Sequence, residues 1–241
     1  YACTTLPHGR FEPPNDQPYS NRDWPEEFRN YAAMVTRADQ LFGEILKTLR
    51  DLRPDQNTVV LVASDNGGTG SRERIRLFNS TGISRAEKGT VYEGGIRVPM
   101  VARLPGRIPA GRVDDSTVVS ALDLYPTCCR LAGIAAPGVD FDGEDMAGTF
   151  TGRPRLRKKD LFWEYGRDAT YIRPGLEHDR SPNLAIRSGN WKLLMNDDRS
   201  RIELYDLNRS DKEETNVAVE HKNIARDLST RLMAWRKSLP A

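Results

Sequence analysis

Thr58-Val-Val-Leu-Val-Ala-Ser64, running without a break into Asp65-Asn-Gly-Gly68, decides how this chain is read. The first six residues are β-branched or apolar with no alternation, and turn formers bound the stretch: Pro54-Asp-Gln-Asn57 before, two glycines after. That pattern predicts a short strand buried on both faces. Upstream, Pro25, Glu26 and Glu27 put proline and acids where a helix N-terminus favours them. Tyr31, Val35, Ala38, Phe42, Ile45, Leu49 and Leu52 then recur at three- and four-residue steps, which predicts a long amphipathic helix to about Arg53. Helix, turn and buried strand make half of a parallel α/β unit. In open α/β sheets ligands bind beyond the carboxyl ends of the strands, which is where Asp65 and Asn66 stand.

On the amino-terminal side, residues 7 to 25 carry five prolines and read as an irregular loop. Downstream, residues 65 to 97 hold seven glycines and no apolar period, a length of irregular chain expected at an active-site rim. Val98-Pro-Met-Val-Ala-Arg103 predicts another strand, and Val118 to Leu131 a strand leading into a helix whose start is marked by Asp123 and Pro126. Gly152-Arg-Pro-Arg-Leu-Arg-Lys-Lys159 reads as an inter-domain connection or a surface loop. Beyond it, Leu161–Tyr165, Asn183–Arg187, Trp191–Met195 and Ile202–Leu207 predict an antiparallel sheet, and Ile224, Leu228, Leu232, Trp235 and Leu239 line one face of a terminal helix able to cover it. The fold class is therefore α/β, with domains expected at 1–152 and 153–241.

Thirty-six Lys and Arg against thirty-four Asp and Glu leave a net charge of +2 over 241 residues. No global field would recruit nucleic acid or an anionic membrane, and no apolar run approaches the ~20 residues of a transmembrane helix. Cys3, Cys128 and Cys129 form neither a disulfide framework nor a zinc-spaced cluster. Tyr1-Ala-Cys-Thr-Thr-Leu-Pro7 has neither an initiator Met nor a signal-peptide pattern, so a fragment or a processed chain is expected.

Three places could do chemistry. Asp65 and Asn66 offer hard oxygen donors suited to Ca²⁺ or Mg²⁺, although two residues supply only part of the ~6 to 8 oxygens that Ca²⁺ takes; read alone, they also make an ordinary Asx-Gly turn. Lys88, in Lys88-Gly-Thr-Val-Tyr-Glu-Gly-Gly-Ile-Arg-Val-Pro99, can present a point charge to an anion, or be a surface lysine. Glu93, Gly94, Gly95 and Arg97 read as shaping that loop. His8 can donate to an anion or a leaving oxygen, or simply be solvated. Asp140, Asp142, Glu144 and Asp145 read as a solvated turn.

In order, these elements resemble the sulfatase family, arylsulfatase-like members of the alkaline-phosphatase-like superfamily. The matching text is Pro7-His8, Tyr31–Val35 with Asp39, Asn57–Gly68, Lys88–Pro99, Leu104–Arg107, Asp123–Thr127, Ala132-Gly133, Ala185–Leu193, and Leu204–Asn208 with Glu214-Thr-Asn216. The resemblance implies an α/β sandwich with a smaller C-terminal sheet-and-helix subdomain, hydrolysis of sulfate esters on a sulfated small molecule or glycan, and bound Ca²⁺ rather than Mg²⁺. It implies that Asp65 and Asn66 are metal ligands and that Lys88 and His8 are catalytic contacts to the sulfate. It also implies a periplasmic, secreted or lysosomal location. One departure matters: the family's nucleophile is a formylglycine made in a Cys/Ser-x-Pro/Ala-x-Arg segment, and neither that segment nor the accompanying aspartate pair occurs here. The expectation is the C-terminal half of a sulfatase, with the nucleophile in a missing N-terminal half and no turnover by this polypeptide alone. The alternatives are a phosphate or phosphonate ester hydrolase, and a non-catalytic module that binds a sulfated ligand, to which basic residues at 153–159 and 167–180 would contribute. Residues Gly166 to Pro182, with Tyr171, Arg173, His178 and Arg180, either border the substrate pocket or form a solvated loop.

Overall fold

The computed structural model describes residues 2–167, 170–209 and 213–240. The chain forms two compact units, residues 1–60 with 104–107, and residues 61–103 with 108–241.

The first unit is organised by α1 (Glu26–Asp51), whose N-terminus has no side-chain cap and relies on Glu26 and Glu27 against the positive end of its dipole. Phe28, Ala32, Ala33 and Met34 are buried. The proline-rich stretch is irregular, as expected, but it packs on the first half of the helix. Phe11 meets Tyr31 edge-on with ring centroids 5.4 Å apart, the Tyr19 hydroxyl lies 2.8 Å from Thr36 Oγ1, and Arg29 Nε donates to Asp16 at 2.8 Å. These contacts reach no further than Thr36, and the apolar stripe is covered less than its pattern predicts: Val35 and Leu52 are exposed.

The second unit opens at Leu61, inside β1 (Val60–Ala63), which pairs with β2 (Met100–Arg103) in a two-stranded sheet. The expectation that β1 is buried on both faces is corrected: Val60, Leu61 and Val62 are half-buried, Ala63 is exposed, and so is Val101 of β2. With one partner strand among the described residues, the faces for which an unbroken apolar run is suited are covered only in part. Residues 65–97 are also less irregular than read, because α2 (Arg72–Phe78) and the single turn α3 (Glu93–Ile96) interrupt them. Ser71 Oγ caps α2 by accepting from Arg74 N at 3.2 Å. No strand forms at Val118–Val119; Ser120 and Asp123 make a reciprocal capping box instead, and the chain enters α4 (Leu124–Ala132) directly. A further turn, α5 (Ala147–Phe150), precedes the basic stretch.

The basic stretch runs along the surface, with most of its residues exposed, and is tied down at several points. Arg157 Nη1 lies 2.5 Å from Asp123 Oδ2 with both side chains buried, and Glu144 accepts from the backbone of Lys158 and Lys159 at 2.7 and 2.6 Å and from Arg155 at 2.8 Å. Glu144 is thus a buried anchor, not part of a solvated turn, because its carboxylate replaces water for two backbone amides.

The antiparallel sheet forms where expected, as β3 (Leu161–Glu164), β4 (Leu184–Ser188), β5 (Trp191–Met195) and β6 (Glu203–Asp206) in that spatial order. Ile186, Leu193 and Leu204 stand in register across three strands. On one face Leu184, Ile186, Leu193, Met195 and Leu204 pack with Ala225, Leu228 and Leu232 of α6 (Lys222–Ser238). On the other, Ala185, Leu194 and Tyr205 pack with Val91 and Tyr92. This second core, in which the glycine-rich loop rests on the back of the sheet, is not anticipated by the sequence pattern. No described helix is long and apolar enough to cross a membrane.

Candidate active site

Where β1 ends, the chain turns through Asp65–Gly68. Ser64 Oγ donates to the Asn66 carbonyl and Asn66 Nδ2 to the Gly67 carbonyl, each at 2.9 Å, so the amide nitrogen of Asn66 is engaged and its side-chain oxygen is left for a ligand. Asp65 is exposed. The backbone N–H of Lys88 donates to the Gly68 carbonyl at 2.9 Å, and the Gly67 N–H to the Gly95 carbonyl at 2.9 Å. These two bonds hold the Asp65–Asn66 turn against both ends of the lysine motif. A Cβ on Gly67 would lie 1.8 Å from the Gly94 carbonyl oxygen, and one on Gly94 would lie 2.2 Å from that of Ala86. Three backbone segments therefore meet at a distance that only glycine allows.

The structure thus brings Asp65, Asn66 and Lys88 together in the second unit. His8 belongs to the first unit, in a turn closed by its own N–H to the Thr5 carbonyl at 2.7 Å. Its Nδ1 lies 2.6 Å from the Gly9 carbonyl oxygen, which can only accept, so Nδ1 carries the proton and Nε2 is the nitrogen left for a ligand. As a cation site, the Asp65–Asn66 turn has the right donor chemistry but only two residues' worth of it. Among the described residues no group of three or more His, Cys, Asp or Glu could hold a metal, so these two fit Ca²⁺ as part of a shell.

Behind the lysine motif lies a buried charge cluster that sequence reasoning missed apart from Glu93. Lys192, in the middle of β5 and fully buried, places Nζ 2.8 Å from Glu93 Oε1 and 2.8 Å from Glu213 Oε1; the second contact is an ion pair without hydrogen-bond alignment. The Glu93 N–H donates to Glu213 Oε2 at 2.6 Å, and Arg187 Nη1 lies 3.5 Å from Glu93 Oε2. Arg85 stacks over the Tyr92 ring at 3.9 Å and donates to the Tyr205 hydroxyl and the Glu213 carbonyl at 3.1 and 3.0 Å. The Tyr92 and Tyr205 hydroxyls both donate to Glu203, and burial together with that carboxylate pushes both phenols well above their usual range. The available signal was strand alternation: Lys192 shares a face with Leu194 and stands opposite Tyr205, so it points inward.

One ammonium between two buried carboxylates gives them opposite shifts. Burial pushes Glu93 up, but Lys192 and Arg187 outweigh it and hold it below the ordinary 4.5. Burial dominates at Glu213, which Lys192 only partly offsets, so it sits above 4.5. Glu93 therefore contributes stability that is present above pH 4.5 and lost as pH falls through its folded value. Glu213 contributes stability that is present below pH 4.5 and lost as pH rises through its raised folded value. Urea midpoints are expected to peak in the acid range, and Glu213→Gln is expected to flatten the decline on the neutral side. An unchanged decline in that variant would place its origin elsewhere.

An open cleft of about 340 Å³ adjoins Gly89, the residue after Lys88, and Tyr171, Arg173 and Arg180 line it. His178 does not; it lies 3.2 Å from Arg72 and 3.1 Å from Asp179.

Comparison with known proteins identifies the family. Residues 1–134 match the sulfatase family model, and residues 85–238 match that of the N-sulphoglucosamine sulphohydrolase C-terminal region. A sulfatase of Formosa agariphila is 30% identical over 86% of this chain and 39% of its own length. Human arylsulfatase A is 31% identical over 64% of this chain and 28% of its own. The crystal structure of Ps i-CgsB in complex with k-i-k-neocarrahexaose superposes with a TM-score of 0.76 and 26% identity, over 95% of this chain and 48% of that one. The chain spans less than half the length of each of these relatives. Its α/β architecture is the alkaline-phosphatase-like one those structures share. The chain belongs to the sulfatase family.

Proposed function

We propose that this polypeptide supplies part of the calcium and sulfate site of a sulfuric ester hydrolase. Asp65 and Asn66 act as Ca²⁺ ligands, Lys88 contacts the sulfate, and His8 contacts its bridging oxygen. The observation that carries the reading is the pair of backbone bonds that fix the Asp65–Asn66 turn to the lysine motif. A calcium ion there would neutralise charge on the sulfuryl oxygens. Lys88 would hold those oxygens as the S–O bond breaks, and His8, with its ring doubly protonated, would give the Nε2 proton to the departing alcohol. The nucleophile, a formylglycine, and the remaining metal ligands belong to an N-terminal half of the same protein, which would also cover the open faces of β1 and β2. Residues 1–152 then form the C-terminal part of the catalytic domain and 153–241 a small subdomain, in a periplasmic, secreted or lysosomal enzyme.

The purified chain is expected to show no calcium-dependent hydrolysis of an aryl sulfate; detectable turnover would refute the division of labour. In a complete polypeptide carrying an upstream Cys/Ser-x-Pro/Ala-x-Arg segment, sulfate monoesters are expected to be cleaved in preference to phosphate monoesters, and Lys88→Ala should lower kcat/KM by ~10²–10³-fold. A preference for phosphate or phosphonate esters would favour the related hydrolase reading.

A further inference from the structure

The cleft beside Gly89 has a composition that the sulfate site does not need. Arg173, Arg180 and Arg201 line it, and each guanidinium is held in place: Arg173 lies 4.4 Å above the Tyr171 ring, Arg180 Nε donates to the Pro174 carbonyl at 3.1 Å, and Arg201 Nη2 donates to the Arg180 carbonyl at 3.0 Å. Restrained cations lose less conformational freedom when they meet a ligand. Glu203 neutralises Arg201 at 3.0 Å, which among the described residues leaves Arg173 and Arg180 as the cations available to an anion. The same cleft is lined by Asn196, Asp197 and Asp198. Carboxylates repel a bare inorganic anion but accept hydrogen bonds from hydroxyls. Guanidiniums together with hydroxyl acceptors match a saccharide that bears an anionic group. The volume, about 340 Å³, falls at the lower end of the ~300–1,000 Å³ typical of small-ligand sites. Gly89 links cleft and site: at φ +93°, a Cβ there would lie 2.9 Å from the Ile172 carbonyl oxygen, so the lysine motif and the 166–182 segment touch next to Lys88.

We infer that this cleft binds the sugar unit adjoining the one whose sulfate meets Lys88, and that the adjoining unit carries its own anionic group, a sulfate or a uronate carboxylate. The substrate is then a polyanionic glycan rather than an isolated sulfate ester. The choice of a glycan rests on the sulfatase reading; the cleft's preference for an anionic saccharide does not.

The test is calorimetric titration of the purified chain in EDTA, which keeps the metal-dependent site out of the measurement. The probes are a sulfated tetrasaccharide, a uronate-containing tetrasaccharide without sulfate, a neutral tetrasaccharide of the same length, and p-nitrophenyl sulfate. At least one anionic tetrasaccharide is expected to bind ten-fold or more tightly than the neutral one and the aryl sulfate, and the stronger of the two identifies the anionic group. Arg173→Ala with Arg180→Ala is expected to abolish that preference with at most a small drop in Tm, because both side chains are exposed and each loses one local contact. Equal affinity for all four probes, no binding of any, or a double variant that binds like the parent would overturn the inference. Anionic-saccharide binding in a protein whose complete form hydrolyses no sulfate ester would instead reject the sulfatase reading and leave the cleft's preference standing.

Discussion

Lys192→Met is expected to cost the chain about 3–5 kcal/mol of stability, because it leaves two carboxylates buried with no cation between them. The lysine is fully buried, and Glu93 and Glu213 are almost so. Methionine keeps most of the volume, so the loss reports charge rather than a cavity. Adding Glu93→Gln and Glu213→Gln to the same chain should recover a large part of it, since replacing every member of a buried ionic group is far less harmful than removing one. Denaturant unfolding followed by circular dichroism measures both. A loss below about 1 kcal/mol for the single variant would mean that water already screens the cluster.

Gly67→Ala should be nearly as damaging, for a steric reason. Overpacking ordinarily costs about 1–3 kcal/mol, but the obstacle here is the Gly94 carbonyl oxygen 1.8 Å from the new methyl carbon, and backbone cannot yield as a side-chain end can. A loss of about 3 kcal/mol is expected. In the complete enzyme a displacement of ~1 Å at this turn should lower kcat/KM by ~10²-fold. Gly43→Ala is the control: that glycine lies inside α1 with nothing within 4 Å of its added carbon, so alanine should stabilise by up to ~1 kcal/mol. If Gly67→Ala behaved like Gly43→Ala, the close meeting of the three loop segments would be wrong.

What the sequence disclosed follows from how locally each feature is encoded. α1, α6 and the four strands β3–β6 were readable because periodicity and turn residues lie within a few residues of the element they specify. Asp65, Asn66 and Lys88 were singled out because an apolar run and a glycine-rich motif mark where a backbone turns, but read alone they were an ordinary turn and a surface lysine, and only the family resemblance made them site candidates. The burial of β1 was misjudged because an apolar run encodes a demand for neighbours and cannot say whether this polypeptide holds them. Lys192 and Glu213, twenty-one residues apart, and Glu93, ninety-nine residues before Lys192, form a contact that no local pattern announces. Glu144 was hidden similarly, since the acidic turn reads as solvated and the basic stretch as a connection or surface loop until Arg155 and the Lys158 and Lys159 amides are seen to meet that carboxylate, while Arg157 reaches back to Asp123.

The resting of Val91, Tyr92 and Glu93 on the back of the C-terminal sheet has a consequence for how the protein would wear out. The loop that carries Lys88 owns little core of its own, so its amide protons should exchange with solvent only as fast as those of β5 and β6, as one cooperative unit. Heat inactivation and melting of that sheet would then share a single temperature. The durability of the site would be set by residues that never touch a substrate, and lesions anywhere in β4–β6 would surface first as lost activity.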